Sequence, residues 1–304
     1  MCPSCTSSSL TQLYESRFDR SPIADYLEES YSRRGGVVFD QLRGAVYALL
    51  QCQDCKLIFQ RDVLNDVLMH KLYEDWIDPS KDLQIHLEEY GSEVYGSHAQ
   101  EIMRLIAHFG KPPSSLQVLD FGMGWSEWAL LAKGFGCDAW GTDISDSRID
   151  YAKSKGVQVL TGKEKTPLKF DFINTEQVFE HLSDPLETLL ELKKLLKPGG
   201  IIKISVINSR SMNRRLKHMD WRANRWSRYS LEAVAPLEHI NCFQRGSIVR
   251  MAQLAGLREV RIPLRTQYRY MVSCGGWRKC LRNFVRPVYR TVLKSRSNYV
   301  FFTQ

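Results

Sequence analysis

The chain has 304 residues, 43% hydrophobic and 25% charged, which is enough to bury a core and too balanced for a disordered or fibrous class. Its formal net charge of +8 favours anionic partners, whether phosphorylated small molecules, nucleic acid or an anionic membrane face. No window holds the roughly 18 uninterrupted apolar residues of a membrane span, and the first stretch is polar where an export signal would be apolar, so a cytoplasmic protein is expected.

Residues 1–75 read as a separate module. The pairs Cys2-x-x-Cys5 and Cys52-x-x-Cys55 each set two thiolates on one tight turn, where both sulfurs reach one ion at about 2.3 Å. A zinc ribbon follows, with Cys2, Cys5, Cys52 and Cys55 as ligands of a structural Zn2+, since four thiolates leave no position for a substrate. Reduced cysteines without metal and an iron–sulfur centre stay open as alternatives. A helix around Ser21 to Tyr31 and a strand within "LRGAVYALLQC" are expected between the pairs. Residues 76–115 read as a helical bridge; Ile102, Leu105, Ile106 and Phe109 share one helical face, and "GKPPSS" ends it.

From 116 to 304 short apolar strands alternate with amphipathic helices, the pattern of a doubly wound parallel sheet. Strands are expected at Gln117–Phe121, Asp138–Asp143, Val157–Leu160, Asp171–Asn174 and Ile201–Ile207, with helices at Ser126–Lys133, Asp146–Lys155 and Pro185–Leu196. "KPGG" reads as a helix stop. The segment 208–240 is long, basic and rich in tryptophan, and a loop in that place holds substrate in such sheets. Its arginines suit phosphates or carboxylates, and Trp221 and Trp226 suit sugars or bases. A helix, Ser247–Ala255, and a strand, Arg258–Leu264, come next; "NYVFFTQ" alternates like a last strand, leaving 266–297 as a basic, aromatic insertion.

The stretch "VLDFGMGWSEWALLAKGFGCDAWGTDIS" carries the chemistry. Gly122 and Gly124 let backbone approach a nucleotide closely. A dinucleotide site would want a small residue where Glu127 stands. With Asp120 just before the turn, two carboxylates would face a pyrophosphate, and a like-charged pair about 4 Å apart costs about 4 kcal/mol at an effective dielectric of about 20. The site suits a cationic nucleoside without phosphates, S-adenosylmethionine. Asp143, at the end of the second strand of this unit, is placed to read the ribose diol.

With "VLDFGMGW", "GTDIS", "EQVFEHLSDPLETLLELKKLLKPGG" and "APLEHINCF" in order, the chain resembles the class I S-adenosylmethionine-dependent methyltransferases from about Leu83 onward. The resemblance implies a seven-stranded Rossmann-like sheet with its last strand antiparallel. It implies that Gly122, Gly124 and Asp143 bind the cofactor, with backbone groups around Thr175 to Gln177; Asp120, just before the turn, is counted with that site. Trp125-Ser126 stands where many members have a third glycine, and Trp125 is read either as packing on the cofactor or as a core aromatic. The segment "TGKEKTPL" lacks the family's usual adenine contacts. The knuckles followed by this domain are similar to a bacterial subgroup from polysaccharide and secondary-metabolite gene clusters, which implies a sugar, nucleotide-sugar or other small hydroxylated acceptor.

A hydroxyl acceptor needs a base. His181 is the first candidate, His239 the second, and Glu180 stands beside them. Ubiquinone-pathway O-methyltransferases, which resemble this region, carry Glu-x-x-Glu-His for a divalent metal; here the first glutamate is Gln177, so no magnesium is expected. The alternative function is RNA methylation, with zinc ribbon and basic loop holding RNA, although "NTEQVFEH" lacks the Asn/Asp-Pro-Pro-aromatic run of base-amino methyltransferases. A third reading is a scaffold seated on an anionic membrane face by "RKCLRNFVRPVYRTVLKSR".

Overall fold

The computed structural model describes residues 1–161, 167–225, 227–269, 277–292 and 299–304. Trp226, most of "TGKEKTPL" and the remainder of the 266–297 insertion therefore lie outside the described residues. In chain order the strands are β1 (Leu10–Arg17), β2 (Val46–Cys52), β3 (Ile58–Gln60), β4 (Gln117–Phe121), β5 (Asp138–Thr142), β6 (Gln158–Val159), β7 (Phe170–Glu176), β8 (Leu196–Ser205), β9 (Asn241–Cys242), β10 (Arg258–Val260) and β11 (Tyr299–Thr303). The α-helices are α1 (Ile23–Tyr31), α2 (Asp66–Lys71), α3 (Pro79–Glu89), α4 (Ser92–Phe109), α5 (Glu127–Gly134), α6 (Asp146–Ser154), α7 (Pro185–Lys194), α8 (Met212–His218), α9 (Arg245–Leu254), α10 (Leu264–Arg269) and α11 (Trp277–Val292). Most expected elements sit within a few residues of their places. "KPGG" is the main exception: it lies inside β8, where Gly199 takes φ +76.

Two compact units divide the chain, and both are discontinuous in sequence. One comprises Met1–Asp82, Gln177–Leu190 and Ser205–Ala255; the other comprises Leu83–Glu176, Glu191–Ile204 and Gly256–Gln304. These units cut across the boundaries at 75 and 115 drawn from composition.

The first unit is built on a four-stranded sheet in the order β1-β2-β3-β9. β1 and β2 pair antiparallel from Leu10–Cys52 to Arg17–Val46, and β3 pairs with both β2 and β9. The "basic loop" is thus a structural part of this unit, since β9 completes its sheet edge and α8 lays Met212 and Leu216 into its core. That core gathers Ile23, Leu27 and Tyr31 of α1 with Tyr47, Trp76, Trp221 and Val234.

The second unit is a seven-stranded sheet in the order β10-β11-β8-β7-β4-β5-β6. β4 is parallel to β5 and to β7, β5 is parallel to β6, and β10 pairs antiparallel with β11 from Arg258–Thr303 to Val260–Phe301. The chain order reverses beside β4, where ligands of open α/β sheets bind. One face buries Ile102 and Leu105 of α4 and Trp128 of α5 against Val118 and Phe172; Met123, Ala129 and Ala152 form a smaller cluster. No helix among the described residues is long and apolar enough to cross a membrane.

Candidate active site

In the second unit the turn after β4 is cinched to β5. The Gly122 and Met123 amides both donate to the Thr142 carbonyl, at 2.9 and 3.0 Å. Gly122 and Gly124 take φ +70 and +52, and a Cβ on Gly124 would meet nothing within 4 Å, so the backbone there faces open space. Asp143 is pinned across this turn: Oδ2 accepts from the Gly124 amide at 2.9 Å and Oδ1 from the Ser145 amide at 3.1 Å. Each carboxylate oxygen has a second lone pair. Ser126 opens α5 at φ +70, and its buried hydroxyl has no hydrogen-bond partner. A backbone cradle, an oriented carboxylate and an unmatched hydroxyl fit a polar nucleoside such as S-adenosylmethionine.

The electrostatics differ from the sequence reading. Asp120 is buried and accepts from Asn174 Nδ2 at 2.7 Å. Burial dominates and pushes its carboxyl up to about 7, with the Asn174 bond and the Lys203 charge pulling the other way. Glu127 is hydrogen-bonded to His86 Nε2 at 2.5 Å. The turn therefore carries less negative charge at Asp120 than an exposed carboxylate would. Trp125 is buried, edge-on to Tyr151 with ring centres 5.4 Å apart, and the Arg148 guanidinium lies 5.7 Å from its ring centre. That is the core-aromatic alternative for Trp125.

Sequence reasoning missed two groups in this unit. His86 and Tyr90 stack with ring centres 4.6 Å apart, Tyr95 meets Tyr90 edge-on at 4.8 Å, and the buried Tyr90 hydroxyl has no hydrogen-bond partner. Below them Lys203 of β8 is fully buried, with Nζ 2.8 Å from Glu101 and 2.6 Å from Glu176. Burial alone would depress the Lys203 ammonium, but Glu101 and Glu176 outweigh it and hold it above the ordinary lysine range. Trp128 Nε1 and the Tyr299 hydroxyl also donate to Glu101, the former at 2.9 Å. A lysine amid "IIKISVI" and a glutamate on the apolar face of α4 were the readable signals.

In the first unit His181 and His239 come together around Glu238. His181 Nδ1 lies 2.9 Å from the Glu238 carbonyl and 3.3 Å from the Tyr73 hydroxyl, and His239 Nδ1 contacts the Glu232 carbonyl. A carbonyl only accepts, so each Nδ1 carries its hydrogen. The two rings are 5.0 Å apart. Burial raises the Glu238 carboxyl, but Arg34, at 3.0 Å, together with both histidines and the Tyr31 hydroxyl brings it down to about 2. Glu180 is buried with Oε1 accepting from the Ile207 amide at 3.0 Å, which holds the loop after β8. Gln177 takes φ +52 and donates its amide to the Ser205 carbonyl at 2.8 Å.

The four cysteines of the same unit form one cluster, with sulfurs within 4.8 Å of one another. Cys2–Cys55 and Cys5–Cys52 are 3.6 and 3.5 Å apart. A tetrahedral ion with bonds of about 2.3 Å sets sulfurs about 3.8 Å apart, so the donor set fits zinc. The expectation for Trp221 fails: its ring is buried between Tyr14, Tyr26 and Tyr47, with centres 5.5 to 5.8 Å away, and no face is left for a sugar. Arg225 pairs with Glu232 at 3.2 Å and Arg222 approaches Asp25 at 3.7 Å. Arg214 and Lys217 keep an exposed basic face on α8.

The family described as "Methyltransferase domain" matches residues 93–262, more than half of the chain. The ubiquinone biosynthesis O-methyltransferase of Coxiella burnetii is 28% identical over 151 residues, covering 45% of this chain and 58% of that protein. One of the same description from Dinoroseobacter shibae is 30% identical over 111 residues, covering 32% and 43%. The chain thus spans about half the length of the curated relatives it matches. Among solved structures, the plantazolicin methyltransferase BamL, bound to a triazolic desmethylPZN analog and SAH, superposes with a TM-score of 0.50 at 15% identity, covering 78% of this chain and 92% of that one. That likeness is one of fold.

Proposed function

We propose, from the premise that this chain belongs to the methyltransferase domain family, that it moves the methyl group of S-adenosylmethionine to a hydroxyl of a small anionic acceptor of the sugar or nucleotide-sugar type. The observation that supports the cofactor most directly is the Gly122–Gly124 turn, open at Gly124 and closed by Asp143. When bound, the cofactor supplies an electrophilic methyl group. Asp143 accepts from the ribose hydroxyls with its remaining lone pairs, and Gly122 and Gly124 admit the nucleoside to the backbone. Asp120 lies just before this turn and Trp125 just after it.

His181 is the general base. Its Nδ1–H is committed to the Glu238 carbonyl, which orients the ring and makes Nε2 the nitrogen proposed to take the acceptor proton. His239, anchored in the same manner, is the reserve candidate, and Glu180 positions the neighbouring backbone. The description of the curated relatives as O-methyltransferases supports an oxygen acceptor. The exposed basic face of α8 supports a negatively charged one. Cys2, Cys5, Cys52 and Cys55 hold a structural Zn2+.

The test joins calorimetry to turnover. Wild-type protein should bind S-adenosylmethionine, and an acceptor screen with labelled cofactor should place label on nucleotide sugars or related hydroxyl compounds. His181→Ala should lower kcat at least about 100-fold with cofactor affinity nearly unchanged. A near-normal rate would transfer the role to His239. Label appearing in RNA would replace the acceptor class, and absent cofactor binding by folded protein would end the reading.

A further inference from the structure

The described residues include fourteen large hydrophobic side chains that stand exposed, and five of them lie on the single helix α11: Trp277, Leu281, Phe284, Val285 and Val288. They are between 43% and 73% exposed, where core positions would be near zero. At about 100° per residue they fall on one arc of about 100°, so they form a continuous stripe. Arg278, Arg282 and Arg286 are exposed beside it. The sequence of the helix also carries Lys279 and Arg290 and contains no acidic residue.

The helix is held along the Phe284 edge of this stripe. The Tyr268 hydroxyl of α10 donates to the Phe284 carbonyl at 2.8 Å, the two rings lie 5.4 Å apart, and Pro287 is buried. This contact presents the stripe outward. Apolar stripes this exposed mark interaction surfaces, and the composition here selects the partner. A second copy docked face to face would bring two sets of cations together with no acid to answer them. A bilayer surface with anionic headgroups answers both halves: apolar side chains enter the acyl boundary, arginines meet the phosphates, and Trp277 suits the headgroup level.

We infer that α11 docks this protein onto an anionic membrane surface, lying in the interface with Trp277, Leu281, Phe284, Val285 and Val288 inserted and Arg278 and Arg282 on the headgroups. The inference does not depend on the methyl-transfer reading.

The experiment uses the full chain and sedimentation with vesicles. Protein should pellet with phosphatidylcholine vesicles containing about a third phosphatidylglycerol at least about tenfold more tightly than with phosphatidylcholine alone, and added salt should weaken it. Leu281→Glu combined with Phe284→Glu should abolish pelleting, and Arg278→Glu with Arg282→Glu should weaken it about tenfold or more, with cofactor affinity and circular dichroism unchanged. A second measurement avoids any folding defect: brominated acyl chains should quench tryptophan fluorescence of the wild type, and Trp277→Phe should lose that component. The inference is overturned by no pelleting with anionic vesicles, by equal affinity for both vesicle types, or by no quenching. It is overturned too if the Leu281/Phe284 pair instead separates a dimer or releases RNA or a protein without altering lipid binding.

Discussion

Asp120 is the residue whose protonation the fold alters most informatively. An acid with its folded value raised from 3.8 to about 7 binds a proton in the native state that the unfolded chain has already lost. Native stability must therefore fall as pH rises through that window, by a few kcal/mol at the outer limit. Asp120→Asn removes the titration, so denaturant midpoints of wild type should decline from about pH 5 to about pH 8 while those of the variant stay level. The proposed cofactor site ties the same group to its ligand. A bound sulfonium favours the charged carboxylate, so affinity for S-adenosylmethionine should rise relative to its uncharged demethylated product across about pH 6 to 8, and Asp120→Asn should flatten that ratio. Calorimetry at both ends of the range decides it. Glu238 has the opposite sign: held down to about 2, its stabilisation is complete above the ordinary carboxylate value and is lost only as pH falls toward about 2.

At the scale of elements, the glycine turn and the second strand depend on each other. A Cβ on Gly141 would press on the Met123 side chain, so an added methyl on β5 must displace Met123 of the turn. Gly141→Ala should cost about 1–3 kcal/mol by overpacking, and Met123→Ala added to it should recover part of that loss, read from thermal unfolding of the three variants. The cysteine knuckles bracket another element pair: Cys2 and Cys5 precede β1, Cys52 ends β2, and Cys55 lies in the turn to β3. One zinc per chain is expected by elemental analysis. A strong chelator or Cys52→Ala should lower the melting temperature by about 10 °C or more, because binding energy of such a site is folding energy. An unchanged transition would remove the metal from this role.

Across the whole molecule, each unit is assembled from segments far apart in the chain. Lys203 joins α4, β7, β8 and β11 through Glu101, Glu176 and Tyr299. Removing the cation leaves Glu101 buried and uncompensated, so Lys203→Met should destabilise by about 3–5 kcal/mol. Adding Glu101→Gln should restore a good share, measured as a double-mutant cycle in denaturant; additive losses would show the pair uncoupled.

Much of the parallel sheet was legible because its strands are short apolar runs set off by amphipathic helices, a pattern written in neighbouring residues. The knuckles were legible because their two-residue spacing is itself a geometric requirement. The glycine turn was legible because positive φ at Gly122 and Gly124 is a local property. Other features rest on partners that no local pattern names. Trp221 looked like a ligand platform until Tyr14, Tyr26 and Tyr47 closed around it. The basic loop looked free until β9 joined β3. His181 acquired its tautomer from a carbonyl 57 residues away. Sequence by itself determined which backbone shapes the chain takes and which donors it carries. Tertiary structure alone decided their protonation, orientation and exposure, because burial and charge pairing belong to groups brought together by folding and not to any one of them.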